Sequence, residues 1–394
     1  MAMEKQTTVK TLPADLVSEI FLWLPVKSLL RFRGVSKSSC SMIDDPNFIK
    51  QHLERSMETK TNRKLIIQEG KENDSPYVPE EIYAINFDKE PQEPRLLNHP
   101  YEERLDTIIY GSCNGLLLLF INERLALWNP FTRQCKKLPL SPLCLWNCAF
   151  GLGYDYASDD YKVVKISVDS KPNRLWVFSL KSNSWRSLPD FPYTDYSISS
   201  ILSGGFLANG ALHWLLLEKN GPEVIIAFDL ANETFCVVPQ PVYGPRPSSH
   251  QPITDLHVLE GCLCMSKITY VGNDCEHEEF DRSQFFELYV RENHGIGFIW
   301  RKLYADFQGL FDLQPLAYSS FNLWLLDTEG KEIICYDLHE KRDERVQISI
   351  DLPYEYNSFV CWESLVPLGD GSEFDGDISW ETPNYWEFDD ISSE

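Results

Sequence analysis

Three stretches, LALWNPFTRQCKKLP (125–139), LWVFSLKSNSWRSLP (175–189) and VIIAFDLANETFCVVP (224–239), decide how this chain folds. Laid over one another they space Trp128, Phe178 and Phe228 by 50 residues, and Pro139, Pro189 and Pro239 by the same 50. Weaker copies stand at 82–97, 285–303 and 332–348, so about six units are visible. A fixed period of this length is the mark of a repeat architecture.

Within the units, short runs rich in Leu, Val, Ile, Phe and Trp alternate with Gly, Asn, Asp and Pro, which reads as strands joined by tight turns. Most units follow a strand with a glycine turn: CNGLLLLF (113–120), ANGALHWLL (208–216) and EGCLCMS (260–266). Asn114-Gly115 and Asn209-Gly210 are the favoured hairpin dipeptide. Each unit is expected to be a four-stranded antiparallel sheet, and a period near 50 is that of kelch-type blades. A closed ring buries both faces of each sheet and leaves short edges. The expected class is therefore mainly β, with a propeller-like domain of about six blades. The kelch glycine doublet occurs once, at Gly204-Gly205, so the inference rests on the period. A β-sandwich-like all-β domain is the alternative.

Ahead of the repeats, apolar positions from Leu12 to Leu53 follow a helical period. Leu16, Val17, Ile20, Phe21 and Leu24 form one stripe of a first helix, opened by Pro13 with Asp15 at its positive end. Pro25 stops it. A second helix carries Val26, Leu29, Leu30 and Phe32 as far as Gly34, and Ser36 caps a third that Asp44, Asp45 and Pro46 break. Three helices this short cannot bury all these apolar side chains among themselves, so some are expected to face another protein. The other reading makes them only a cap on the main domain.

The segment LPADLVSEIFLWLPVKSLLRFRGVSKSSCSMIDDPNFIKQHL resembles an F-box over about 42 residues. The agreement is carried by Leu12-Pro13, Leu16, Ile20, Leu24-Pro25, Val26-Lys27-Ser28-Leu29, Arg31-Phe32, Val35-Ser36-Lys37 and Phe48-Ile49. Ser39 stands where the plant family usually has Trp, and Gly34 where it usually has Cys. GSCNGLLLL, LWNPFTR, GLGYDYASDDYKVVKI, ALHWL, AFDL and ESLVPL (363–368) are similar to the recurring phrases of the F-box-associated domain, in that family's order. That group includes S-locus F-box proteins and immune-regulating F-box adaptors. The resemblance implies the substrate-recognition adaptor of an SCF (SKP-cullin-F-box) ubiquitin ligase. An SKP-family adaptor, and through it a cullin-RING ligase, would bind through Leu12, Pro13, Leu16, Ile20, Leu24, Pro25, Val26, Leu29, Leu30, Arg33 and Val35. The propeller would hold a target protein, leading to its ubiquitination and degradation. The target-binding residues are not legible. Alternatives are a non-degradative binding propeller or a propeller enzyme.

Charge and composition bound these readings. With 36 Lys and Arg against 59 Asp and Glu in 394 residues, the net charge of −23 argues against nucleic acid or an anionic membrane as the main partner. The residues from Gly369 onward hold nine acids and no Lys or Arg. MAMEKQTTVK lacks the apolar run of a signal peptide, no stretch suits a membrane span, and eleven cysteines without framework spacing suit reduced thiols. Cytoplasmic or nuclear residence is expected. The domains are expected as a disordered 1–9, a helical 10–56, the propeller-like 60–368 and a disordered acidic, aromatic tail over 369–394.

Local signatures of catalysis are missing: no G-x-S-x-G elbow, phosphate-binding loop, H-E-x-x-H or dinucleotide fingerprint occurs. No enzyme activity and no cofactor are expected. Cys262, Cys264, Cys275 and His277 could hold zinc only if a hairpin brought C-x-C and C-x-H together; two buried small side chains on a strand is the plainer reading, and no metal is expected. Trp128, Trp185 and Trp300 read as core or blade-to-blade packing before any ligand cage. Asp229 and Asp337 read as acceptors of turn hydrogen bonds. Partner recognition, if not mere solvation, falls to the Pro-rich loop 239–252 and the acidic loop 271–284.

Overall fold

A computed structural model describes residues 12–69, 81–86, 94–100, 107–121, 124–141, 148–167, 174–189, 191–193, 196–198, 204–218, 223–242, 253–271, 283–293, 297–303, 313–319, 321–327, 332–348 and 356–369. The terminal stretches 1–9 and 370–394 and most of both loops singled out above lie outside these residues. Four helices come first: α1 (Ala14–Phe21), α2 (Val26–Arg33), α3 (Lys37–Ile43) and α4 (Pro46–Thr59). One more is present than the three read from the sequence. Asp45 and Pro46, which end α3, also start α4, because Asp45 Oδ1 accepts from the Asn47 and Phe48 N–H groups at 2.9 and 3.1 Å.

The strands form six antiparallel sheets, the blades of a propeller. Blade 2 runs Thr107–Cys113, Leu116–Ile121, Arg124–Asn129, Gln134–Lys137 from the inside out, and blade 3 runs Cys148–Asp155, Asp160–Ser167, Arg174–Ser179, Ser184–Leu188. Blade 5 follows the same order with Ile253–Leu259, Cys262–Val271, Ser283–Asn293 and Phe298–Lys302. Blade 6 does so with Leu313–Tyr318, Asn322–Asp327, Glu332–Asp337 and Arg342–Gln347. Blade 4 splits its inner position between Tyr196–Ile198 and Phe206–Ala208, both paired with Ala211–Glu218, ahead of Glu223–Asp229 and Phe235–Val238. Blade 1 takes its inner strand, Tyr356–Trp362, from the far end of the chain and pairs it along Arg63–Glu69, followed by Ile82–Ile85 and Arg95–Leu96.

The 50-residue repeat is the outer hairpin of each blade. Its aromatic residue is a wedge: Trp128 packs with Ile66 and Ile82 of blade 1, Phe178 with Leu118 and Leu127 of blade 2, and Phe228 with Val164 and Ile166 of blade 3. A large ring at that point fills the gap that opens between two twisted sheets. The fourth-strand tryptophans tie neighbours as well, since Trp185 and Trp300 donate their indole N–H to the carbonyls of Pro139 and Pro239 at the end of the preceding blade, at 3.0 and 2.6 Å. Turns close as expected: Asp229 Oδ1 accepts from the Ala231 and Asn232 N–H groups, and Asp337 Oδ1 from those of His339 and Glu340.

Gly204-Gly205 does a job other than that of the kelch doublet. Gly205 donates to the Phe150 carbonyl at 2.6 Å and bridges Gly151, while a Cβ on Gly204 would fall on the Tyr110 carbonyl. Blades 2, 3 and 4 thus close on one another through bare backbone. At the next junction Gln68 of blade 1 accepts from Ile109 N–H at 3.0 Å and donates to the Thr107 carbonyl, satisfying the inner edge of blade 2.

A strap, residues 363–368, fastens the helices to the ring. Leu365 enters the helical core with Phe21, Leu22, Val26 and Leu29, whereas Val366 and Leu368 enter the core of blades 2 and 3. Fully buried Asn129 holds the strap: its side-chain N–H groups donate to the Ser364 and Val366 carbonyls at 3.1 and 3.0 Å, and its Oδ1 accepts from Phe131 and Thr132 N–H. At the junction, Glu260 of blade 5 pairs with both Lys60 (3.3 Å) and Arg63 (2.7 Å).

Two measurements test this account. Asn129→Ala strands two buried carbonyls and two N–H groups, so chemical denaturation should show a loss of about 2–4 kcal/mol, against about 1 for Asp229→Ala, which caps only its own turn. Burial pushes the His213 imidazole down to about 4, with its Nδ1 on the Phe206 carbonyl at 3.2 Å. Its neutral form is the folded form, so stability is full above about pH 6.5 and falls as pH drops toward 4, by on the order of 3 kcal/mol. Denaturation midpoints at pH 7 and 4.5 should show that slope in the native chain and a shallower one in His213→Asn.

Candidate functional site

The helical module splits its apolar residues between two faces. Val17 and Leu24 are half-buried against a core of Phe21, Leu22, Val26, Leu29, Ile43 and Phe48. That core continues into the ring through Leu365 and Phe131, and Leu53 of α4 reaches the core of blades 2 and 3. His52 of α4 holds the end of α1: its Nε2 lies 2.8 Å from the Leu24 carbonyl, and burial lowers its pKa, so the ring is neutral and donates. Ser36 Oγ accepts from Ser39 N–H at 3.0 Å and caps α3 as expected, and the Ser39 hydroxyl meets that of Ser36 at 2.9 Å.

On the opposite side Leu16 and Ile20 are 52% and 51% exposed, beside Trp23 at 59%; Leu12, Phe32 and Val35 are exposed as well. Leu16 and Ile20 are i, i+4 on one face of α1, and Trp23 stands in the turn just past its end. The five-residue stripe read from the sequence therefore divides, with Val17, Phe21 and Leu24 inward and Leu16 and Ile20 outward. Arg55 lies over the Trp23 ring at 4.5 Å and pairs with Glu19 at 3.3 Å, which fixes that ring at the surface.

Of the residues expected to contact an adaptor, Leu12, Pro13, Leu16, Ile20, Pro25, Arg33 and Val35 are exposed, and Leu24 and Leu30 half-buried. Val26 and Leu29 are corrected: both are fully buried, because α2 needs one apolar stripe to pack on α1, α4 and the strap, and these two supply it. Arg33 pairs with Asp44 at 2.7 Å across the surface. Sequence reading missed Trp23, which stands in the turn just past α1.

Strand order defines two ends of the ring. Turns from first to second and from third to fourth strands open at one end, and all other connections at the other. The helices sit at the first end, where Glu363 N–H donates to the Asn62 carbonyl at 2.8 Å and Phe131 of a third-to-fourth turn joins their core. The strands flanking 243–252 and 272–282 end at the second, facing away from the helices.

Cys262 and Cys264 share one face of their strand, with Cys264 buried in the core of blades 5 and 6 and its thiol pushed well up by burial. Cys275 and His277 lie outside the described residues. Among the described residues no three His, Cys, Asp or Glu side chains converge on a metal site, and no helix is long and apolar enough to cross a membrane.

Comparison with known proteins agrees with this architecture. The F-box domain model matches residues 10–51, and the F-box associated beta propeller domain model matches 80–359. F-box protein CPR1 of Arabidopsis thaliana is 29% identical over 392 residues, covering 90% of this chain and 89% of that protein. F-box protein At4g22390 of the same plant is 29% identical, covering 74% of this chain and 73% of its own length. F-box/kelch-repeat protein At3g23880, also from Arabidopsis thaliana, is 28% identical, with 80% and 85% covered. With both family models in the order the strands and helices require, this chain belongs to the F-box proteins that carry an F-box associated β-propeller domain.

Proposed function

We propose that this protein is the substrate-recognition adaptor of an SCF ubiquitin ligase, binding an SKP-family adaptor with its helices and a target protein with the propeller, so that the target is ubiquitinated and degraded. The observation that carries the reading is the exposed apolar face of Leu12, Leu16, Ile20, Trp23, Phe32 and Val35 on a module whose other side is already fastened to the ring. Apolar side chains on short helices suit a groove between the helices of a partner. The contribution to ubiquitin transfer is proximity, since target and charged enzyme share one scaffold. This role asks for no bond chemistry from the chain itself. All nine described cysteines are free thiols, which supports residence in the cytosol or nucleus.

The target is assigned to the ring end facing away from the helices, where the connections 239–252 and 271–284 depart from neighbouring blades. A target gripped there stays clear of the adaptor.

Calorimetric titration against an SKP-family adaptor tests the first contact. Leu16→Asp/Ile20→Asp should weaken binding by at least a hundredfold with the circular dichroism spectrum unchanged, because both positions are exposed in the free protein. Leu29→Asp is unsuitable, since it would unfold the module. Equal affinity of the folded double variant would defeat the assignment.

Loop replacement tests the second. Val271 and Ser283 are paired across residues 272–282, so a short Asn-Gly turn in place of that segment keeps the register of both strands. Stability should change by less than about 1 kcal/mol and adaptor affinity not at all, while target capture falls. Full target capture by this variant would remove the loop from the site.

A further inference from the structure

In a chain of net charge −23, residues 20–43 and 124–154 each carry four Lys or Arg and no acid. Residues 20–43 carry Lys27, Arg31, Arg33 and Lys37, and residues 124–154 carry Arg124, Arg133, Lys136 and Lys137. Phe131, two residues from Arg133, packs into the helical core that holds Val26 and Leu29 of α2, so the third-to-fourth turn of blade 2 reaches the underside of the helices. Lys27, Arg31, Lys37 and Arg133 are exposed and have no acidic partner among the described residues, and Phe32 and Val35, on α2 and just past it, have apolar surface uncovered. Basic and apolar groups of α2 and of the edge of blade 2 thus lie open at the same end of the ring.

The strap delivers the C-terminal residues to this place. Leu368 N–H donates to Gln134 Oε1 at 3.2 Å on the outer strand of blade 2, and a side chain at Gly369 would meet the Lys136 Nζ at 3.8 Å. From there residues 370–394 add nine acids, no Lys or Arg, and five aromatic residues, Phe374, Trp380, Tyr385, Trp386 and Phe388.

We propose that residues 370–394 dock in cis on the seam between α2 and the outer edge of blade 2, with carboxylates against Arg31 and Arg133 and aromatic rings against Phe32 and Val35. Twenty-five residues reach about 80 Å when extended, far more than the seam requires. A tether of this kind gives an effective concentration on the order of millimolar, so weak contacts suffice to keep the tail seated. Arg31 can stack on an incoming ring as well as pair with a carboxylate. The docked tail covers Phe32 and Val35, and an adaptor must displace it; that consequence rests on the function proposed above, whereas the docking does not.

The test uses the chain ended at Gly369, which keeps every described strand pair and the strap. A fluorescent peptide of residues 370–394 is titrated into it by anisotropy at 50 and 500 mM salt. Saturable binding is expected, weakened at least tenfold by the higher salt and at least fivefold by Arg31→Glu/Arg133→Glu. That variant is compatible with the fold, because Arg31 is exposed and Glu233 occupies the turn position of Arg133 in blade 4 with the same left-handed backbone (φ 56° against 62°). In the full chain, amide exchange at 26–37 and 134–137 should be slower than in the shortened one. Absence of saturable binding, binding indifferent to the double substitution, or equal exchange in the two chains would overturn the proposal. The shortened chain should also bind an SKP-family adaptor at least fivefold tighter. If neither chain binds it, the adaptor reading fails while the peptide titration still decides the docking.

Discussion

Everything else in this protein depends on one strand pairing across nearly the whole chain. Tyr356–Trp362 lies antiparallel along Arg63–Glu69, with Arg63 opposite Trp362 and Glu69 opposite Tyr356. Without that pairing blade 1 lacks its inner strand, and the inner edges of blades 1 and 6 stand open. With it the ring has no free inner edge, and each blade buries both faces. The cost is entropic, because nearly 300 residues of chain must be closed into a loop before the contact forms, and such non-local pairing is slow.

The same closure brings the segment after the helices and the start of the strap together at one end of the ring. Residue 62, where the helices end, and residue 363, where the strap begins, are hydrogen bonded to each other. Leu365 can then serve the helical core while Val366 and Leu368 serve the blades, and Asn129 holds the backbone between them. The helices are thereby part of the ring rather than a module on a flexible lead. Attachment through the strap gives the exposed face of α1 and α2 a fixed orientation relative to the far end of the propeller.

That division of labour explains why a 46-residue helical segment carries so many apolar side chains. One set, led by Val26, Leu29 and Phe48, is consumed by contacts inside the protein. The other, led by Leu16, Ile20 and Trp23, remains in water on an otherwise strongly charged molecule. The helices cap the main domain and still leave an apolar face in water.

The sequence by itself determined the units. Period-50 aromatics and prolines, Asn-Gly turns and capping Ser, Asp and Asn residues are local signals, because hairpins and helix ends are decided by neighbouring residues. They made a repeat of about six units, the outer hairpins and the F-box resemblance legible, while the exact blade number came from the fold. Tertiary structure decided what depends on contacts between distant segments. Only packing on Leu365 and Phe131 divides Leu16 and Ile20 from Val26 and Leu29, since helical period marks apolar positions without saying which neighbour takes them. Only the ring explains why glycine stands at 204, where the Tyr110 carbonyl leaves no room for a side chain, and why Asn129 is buried under a strap more than 230 residues away. Spacing along a chain records local geometry, and partners brought together by ring closure leave no spacing to read.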